Sequence, residues 1–77
     1  MILGIIGGSG IYEIDYLEDP QWISVNSSFG SPSDDVLVGH IKGIKMVFLP
    51  RHGRGHIQSP SSINYRANID VMKRCGV

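Results

Sequence analysis

The chain has 77 residues, enough for one small domain or a piece of a larger one. With 42% hydrophobic and 18% charged residues it has the composition of a globular protein and not of a disordered one. Its seven basic and seven acidic residues cancel, which excludes a global field for nucleic acid or for an anionic membrane. A domain of this size buries only about 60% of its unfolded surface and usually needs disulfides, a metal or a partner. A single cysteine, Cys75, excludes an internal disulfide. The charges are unevenly placed. Glu13, Asp15, Glu18, Asp19, Asp34 and Asp35 precede every lysine and arginine, and Asp70 is the one later acid. The basic second half suits an anion site, and chance clustering in a short chain explains it equally. The longest apolar run, Met46 to Pro50, is far below the ~20 residues of a membrane-spanning helix. The start lacks a basic segment and is interrupted by Gly7-Gly8-Ser9-Gly10, so it does not read as a secretory signal. A cytoplasmic protein with a reduced thiol is the expectation.

Met1 to Ile6 is a short isoleucine-rich run and reads as a strand buried on both faces. Gly7-Gly8-Ser9-Gly10 then predicts a tight turn. Residues 11–21 read as a loop with one helical turn around Tyr16-Leu17, and Trp22 to Val25 as a strand. Phe29-Gly30-Ser31-Pro32-Ser33-Asp34 is turn chemistry. Val36 to Ile41 and Ile44 to Leu49, joined by Lys42-Gly43, predict a β-hairpin ended by Pro50. Arg51 to Ile57 is a glycine-spaced basic loop. Ser61 or Ser62 then suits the N-cap of a helix from about Ile63 to Cys75. Its apolar stripe is Ile63, Ala67, Val71 and Cys75, widened by Ile69 and Met72. Lys73 and Arg74 fall in the last turn, and Gly76 at the C′ position. A capped helix followed by Val77 reads as the entry to a further strand, so the expected fold is α/β and residues 1–77 are expected to be part of a single larger domain.

Two loops carry the chemistry. Successive N–H groups in Gly7-Gly8-Ser9-Gly10 can form an anion nest, with the Ser9 hydroxyl as an added donor. No Gly-Lys-Ser/Thr follows, as a P-loop requires, and Glu13 occupies the place of the third glycine of a dinucleotide fingerprint. A plain tight turn stays open as the alternative. Arg51-His52-Gly53-Arg54-Gly55-His56 follows directly on a strand, where ligands of α/β sheets commonly bind. An arginine offers a planar fork suited to phosphate or carboxylate, and His52 can donate a further bond. A solvated basic loop is the alternative here. Zinc is rejected: His52 and His56 face a common ion only on a helix, which Gly53 and Gly55 oppose, and His40 and Cys75 are remote in sequence. Cys75 lies on the apolar stripe and reads as a structural thiol, not a nucleophile.

The Gly-Gly-Ser-Gly turn at 7–10, Phe-Gly-Ser-Pro-Ser-Asp at 29–34, Leu-Pro-Arg-His-Gly-Arg-Gly-His at 49–56 and Asn-Tyr-Arg-Ala-Asn-Ile at 64–69 stand in one order. In these motifs the chain resembles the amino-terminal part of the methylthioadenosine phosphorylases, in the trimeric branch of the purine nucleoside phosphorylase superfamily. The resemblance covers almost all 77 residues and is weakest over 11–22. It implies the amino-terminal portion of a phosphorylase-like mixed β-sheet flanked by helices. It implies phosphorolysis of 5'-methylthioadenosine in the full-length protein. Orthophosphate is then a co-substrate, with no metal or organic cofactor. Ser9, Arg51 and His52 match the family's phosphate-binding positions, and His56 is placed near the sugar end of the pocket. The implied partners are a purine nucleoside, the remainder of the enzyme, on the same or a separate chain, and further copies in a trimer or dimer of trimers. Related phosphorylases acting on inosine, guanosine or methylthioinosine share these features. A non-catalytic interaction fragment is the rival of another class. An RNA-binding module is disfavoured by the zero net charge and by the lack of stacking aromatics beside Arg51–His56. Residues 1–77 alone are expected to be inactive and poorly soluble. Ser9, Arg51 and His52 are expected to converge on one pocket from loops at the same end of the sheet.

Overall fold

The computed structural model describes residues 1–8, 15–54 and 63–77. Strands β1 (Ile2–Gly7), β2 (Glu18–Ile23), β3 (Val36–Ile41) and β4 (Ile44–Pro50) precede one helix, α1 (Tyr65–Arg74). The strands form one mixed sheet in the order β1-β4-β3-β2. β1 runs parallel to β4, and the other neighbours are antiparallel. The α/β class and the hairpin follow the sequence pattern. Lys42 and Gly43 have φ of +51° and +80°, the two positive values that a two-residue turn of the primed type requires.

Strand alternation divides the core between two faces. Val36, Val47 and Leu49 point to one side and pack with Val71 and Met72 of α1. Leu37, Met46 and Phe48 point to the other and pack with Leu17. Each fully buried side chain of this kind contributes roughly 1.5–3 kcal/mol, so β4, apolar on both faces, anchors the fold. Gly39 lies under Leu17: a Cβ there would sit 2.6 Å from Leu17 Cγ and 2.9 Å from the Glu18 carbonyl oxygen.

Three expectations need correction. β1 is not buried on both faces. Among the described residues it lies at the edge of the sheet, and on the Met46–Phe48 side Leu3 and Ile5 are 42% and 39% exposed, because no described element covers them. Second, the last four residues read as loop, Glu18 to Gln21, belong to a strand. β2 begins at Glu18 and ends at Ile23, before the expected Val25. The register slips between Glu18 and Gln21, where Asp19 takes φ +51° next to Pro20. An edge strand tolerates such a bulge because its outer N–H groups have no ladder partner to lose. Third, α1 starts later than Ile63. Its N-cap is Asn64, whose side chain accepts from the Ala67 N–H at 3.0 Å, while Ser61 and Ser62 lie outside the described residues. Ile69, assigned to the apolar stripe, is 56% exposed, and Asn68 is buried instead.

The C-terminal end of α1 agrees with the sequence. Gly76 takes φ +86°, its N–H bonds the Lys73 carbonyl, and the Val77 N–H bonds the Met72 carbonyl. This six-to-one, five-to-two pair is a Schellman motif. It turns Val77 onto Gly4 of β1, where a Cβ would meet both Val77 methyl groups at 2.9 Å and Met72 Sδ at 3.0 Å. Cys75 is half-buried against the same cluster, and burial pushes its thiol up, against a smaller opposing pull from Lys45.

Gly39→Ala is expected to destabilise the fold by about 1–3 kcal/mol, since the new methyl has backbone as well as Leu17 in its way. Urea unfolding followed by circular dichroism measures this. An alanine variant as stable as the parent would show that Leu17 can leave Gly39 at no cost.

Candidate functional site

The parallel pairing of β1 with β4 sets Gly7 opposite Pro50. The chain segments that leave these two strands therefore start side by side, at the carboxyl end of the sheet. The Arg51 N–H donates to the Gly7 carbonyl at 2.8 Å, which extends the ladder one residue past Pro50. Gly53, at φ +77°, donates to the Pro50 carbonyl at 3.0 Å and closes a turn over residues 50–53. A side chain at Gly8 would come within 3.6 Å of Arg51 Nη2, so the guanidinium lies directly beside the start of the glycine-rich turn. Arg51 Nε donates to His52 Nε2 at 3.4 Å, so the two side chains of the pair lie against one another.

Arg51 and His52 thus stand next to Gly7-Gly8. Ser9 and His56, the other two residues singled out in the sequence, lie outside the described residues. A guanidinium fork beside the Gly7-Gly8 backbone is an arrangement suited to a tetrahedral oxyanion.

Arg54 has a different set of neighbours. Asp34 accepts from the Arg54 backbone N–H at 2.8 Å, from Nε at 2.9 Å and from Nη2 at 3.0 Å. Asp35 lies 3.8 Å from the same Nη2. The guanidinium carbon sits 4.0 Å from the centroid of the Trp22 ring, a cation–π contact. Burial alone would raise the Asp34 carboxyl. The Arg54 hydrogen bonds and the Asp35 N–H outweigh it and hold Asp34 below the usual carboxylate range.

The segment carrying Asp34 is itself pinned to α1. Asn68, 1% exposed, accepts from the Ser33 N–H and donates to Ser33 Oγ, both at 2.9 Å. Asn64 Nδ2 donates to the Phe29 carbonyl at 2.9 Å. Ser27 donates to Asp70 at 2.8 Å, and Asp70 also takes Arg74 Nε at 2.8 Å. These two hydrogen bonds hold the Asp70 carboxyl below its ordinary value. The sequence marked residues 29–34 as a turn but did not pair them with anything, because a contact across 20 or 35 positions leaves no spacing signal. An open groove of about 630 Å³ on the outer side of α1, lined by Phe29, Tyr65, Arg66, Ile69, Asp70 and Lys73, shares no residue with the Arg51 loop.

No family model matches the chain. It is similar over nearly its whole length to S-methyl-5'-thioadenosine phosphorylases. That of Cereibacter sphaeroides is 58% identical over 76 residues, which are 99% of this chain and 26% of the relative. The chain thus spans about a quarter of the length of the curated relatives it matches. Among solved structures, a methylthioadenosine phosphorylase sourced from an antarctic soil metagenomic library superimposes with a TM-score of 0.92. It is 43% identical over 97% of this chain and 26% of its own. The methylthioadenosine phosphorylase from Schistosoma mansoni in complex with adenine gives a TM-score of 0.86, at 41% identity over 99% of this chain and 27% of its own. The mixed sheet with one helix matches the corresponding portion of these phosphorylase folds.

The ionisation of Asp34 has a consequence for stability. A carboxyl whose folded pKa lies below its unfolded value of about 3.9 binds fewer protons when folded. Its contribution is complete above that value and is lost as the pH falls through the folded pKa. The difference in unfolding free energy between wild type and Asp34→Asn is expected to hold steady at neutral pH and to shrink below about pH 4. Asp70 shifts in the same direction but is present in both proteins, so it cancels. Paired urea titrations across the acid range measure the difference. A gap that stayed constant to the lowest pH would separate the Asp34 charge from the stability of the loop.

Proposed function

We propose that residues 1–77 form the amino-terminal part of a methylthioadenosine phosphorylase and supply part of its phosphate subsite. The observation that carries this reading is the placement of the Arg51 guanidinium beside Gly8, from two strands whose carboxyl ends are adjacent. The high identity to named phosphorylases across the whole of these 77 residues supports it.

In this reading orthophosphate is the co-substrate, and the reaction needs no further cofactor. Its oxygen attacks the anomeric carbon of the ribose as the bond to the purine nitrogen breaks. Positive charge develops on the sugar in an oxocarbenium-like transition state, and the electron pair of the broken bond leaves with the base. Arg51 holds the phosphate oxygens through its fork. His52 adds a donor from the same loop, and Ser9 adds a hydroxyl from the glycine-rich turn. His56 is assigned to the sugar side of the pocket by the resemblance alone. The work of these groups is to hold an anionic nucleophile in line with the anomeric carbon, a task of positioning and electrostatics. Recognition of the base, and most of the sugar pocket, belongs to chain beyond these 77 residues. The adenine complex of the Schistosoma mansoni relative favours a 6-amino purine nucleoside. The reading places the protein in purine salvage in the cytoplasm, as a homo-oligomer.

Charge-assisted hydrogen bonds contribute on the order of 1.5–3 kcal/mol each. In the full-length protein, Arg51→Ala is expected to lower kcat/KM for phosphate by roughly a hundredfold or more. Arg51→Lys keeps the charge, loses the fork and falls between. The KM for nucleoside changes much less. Arg66→Ala, which removes the same charge from the exposed face of α1, serves as the control. Steady-state kinetics with phosphate and nucleoside varied separately measure these effects. Equal losses from Arg51→Ala and Arg66→Ala would replace the clamp by a general effect of charge.

A further inference from the structure

The segment from Arg51 to Arg54 is fastened at both ends. At its start the Arg51 N–H is held by Gly7, and within it Gly53 is held by Pro50. At its end the fastener is Asp34, which takes the Arg54 backbone N–H as well as two donors of its guanidinium. Asp34 is a firm base for this. Its own Oδ1 accepts from the Asp35 N–H at 2.7 Å, and the preceding Ser33 is bonded twice to the buried Asn68 of α1. The Trp22 ring of β2 closes the arrangement from the other side, 4.0 Å from the guanidinium carbon. Hydrogen bonds from the helix to Ser33 and from Asp34 to Arg54, joined by the Ser33–Asp34 peptide bond, therefore link α1 to the residue three places after Arg51.

We propose that Asp34 and Arg54, with Trp22, are positioning residues that fix the placement of the Arg51-His52 pair toward phosphate. The inference rests on the phosphate-site reading above. It gives Arg54, which the sequence presented as one more cation of a basic loop, a separate job. Nε and Nη2 of Arg54 are committed to Asp34, in the bidentate geometry that an arginine makes with a carboxylate. A displacement of about 1 Å in a substrate-holding group is enough to slow a reaction markedly. The link is partly open to solvent, with 44% of the Arg54 side chain exposed, so its effect on the site is smaller than that of Arg51 itself.

The test uses the full-length enzyme with Arg54→Lys, Asp34→Asn and the double variant, beside Arg51→Ala. Arg54→Lys retains the charge at an exposed position and loses the fork, so it keeps the fold. Both single variants are expected to raise the KM for phosphate about three- to tenfold, with the KM for nucleoside unchanged. The double variant is expected to be no worse than the more impaired single one, because the two residues act through one link. A residue with only a structural role lowers the melting temperature and leaves the phosphate KM where it was. That result in both single variants, with Arg51→Ala impaired, overturns the positioning role and leaves the phosphate site standing. Losses that multiply in the double variant also overturn it. If Arg51→Ala itself leaves the phosphate KM unchanged, the phosphate reading falls, and the positioning role falls with it.

Discussion

The parallel ladder between β1 and β4 is the constraint on which the site depends. These two strands are separated by more than thirty residues of chain and by a change of direction at the hairpin. Their pairing places Gly7 opposite Pro50 and continues into the bond from Arg51 to Gly7. Gly7-Gly8 and Arg51-His52, far apart in the chain, become neighbours through this register. A slip of one residue would turn every β1 side chain to the opposite face of the sheet, so the apolar pattern holds the site in register as well as the core.

Two close approaches make that ladder compatible with the helix. Gly4 has no side chain on the α1 side of β1, and Val77 and Met72 occupy the space. The Schellman motif supplies the reversal that sends Val77 there, so the cap of α1 and the packing of the edge strand are one feature. On its other flank α1 presents Asn64, Asn68 and Asp70 to the segment from Ser27 to Ser33. Breaking the buried Asn68–Ser33 pair leaves unsatisfied polar groups inside the protein, which costs more than the bonds contribute. The helix thus orders a loop that has little apolar surface of its own.

The molecule also leaves apolar surface uncovered. Leu3 and Ile5 on one face of β1, and Phe29, Tyr65 and Ile69 around the groove on α1, are all more than a third exposed. The chain spans about a quarter of the length of the relatives it matches. A single four-stranded layer with one helix covers one face of its sheet well and the other only around Leu17 and Trp22.

The local chemistry of the chain was legible in its sequence. Alternating apolar residues around Lys42-Gly43 specify a hairpin, because only a primed turn matches the twist of its strands. Gly76 after Lys73-Arg74 specifies a helix end, because glycine enters the left-handed region without strain. Arg51-His52 between Pro50 and Gly53 offers donors suited to an anion, the basis of the phosphate reading proposed above. The residues that position this loop were not legible. Asp34 and Arg54 are twenty positions apart, and Asn68 and Ser33 thirty-five. No periodicity connects them, and each has a sufficient local explanation as a turn or helix residue. The start of β2 was hidden for the opposite reason: Asp19-Pro20 breaks a strand by every local rule, and only the open edge of the sheet permits it. Sequence alone determined which elements form and which side chains carry charge. Tertiary structure decided which of those charges are held by partners and which stand beside the glycine turn, because that depends on register and packing between segments far apart in the chain.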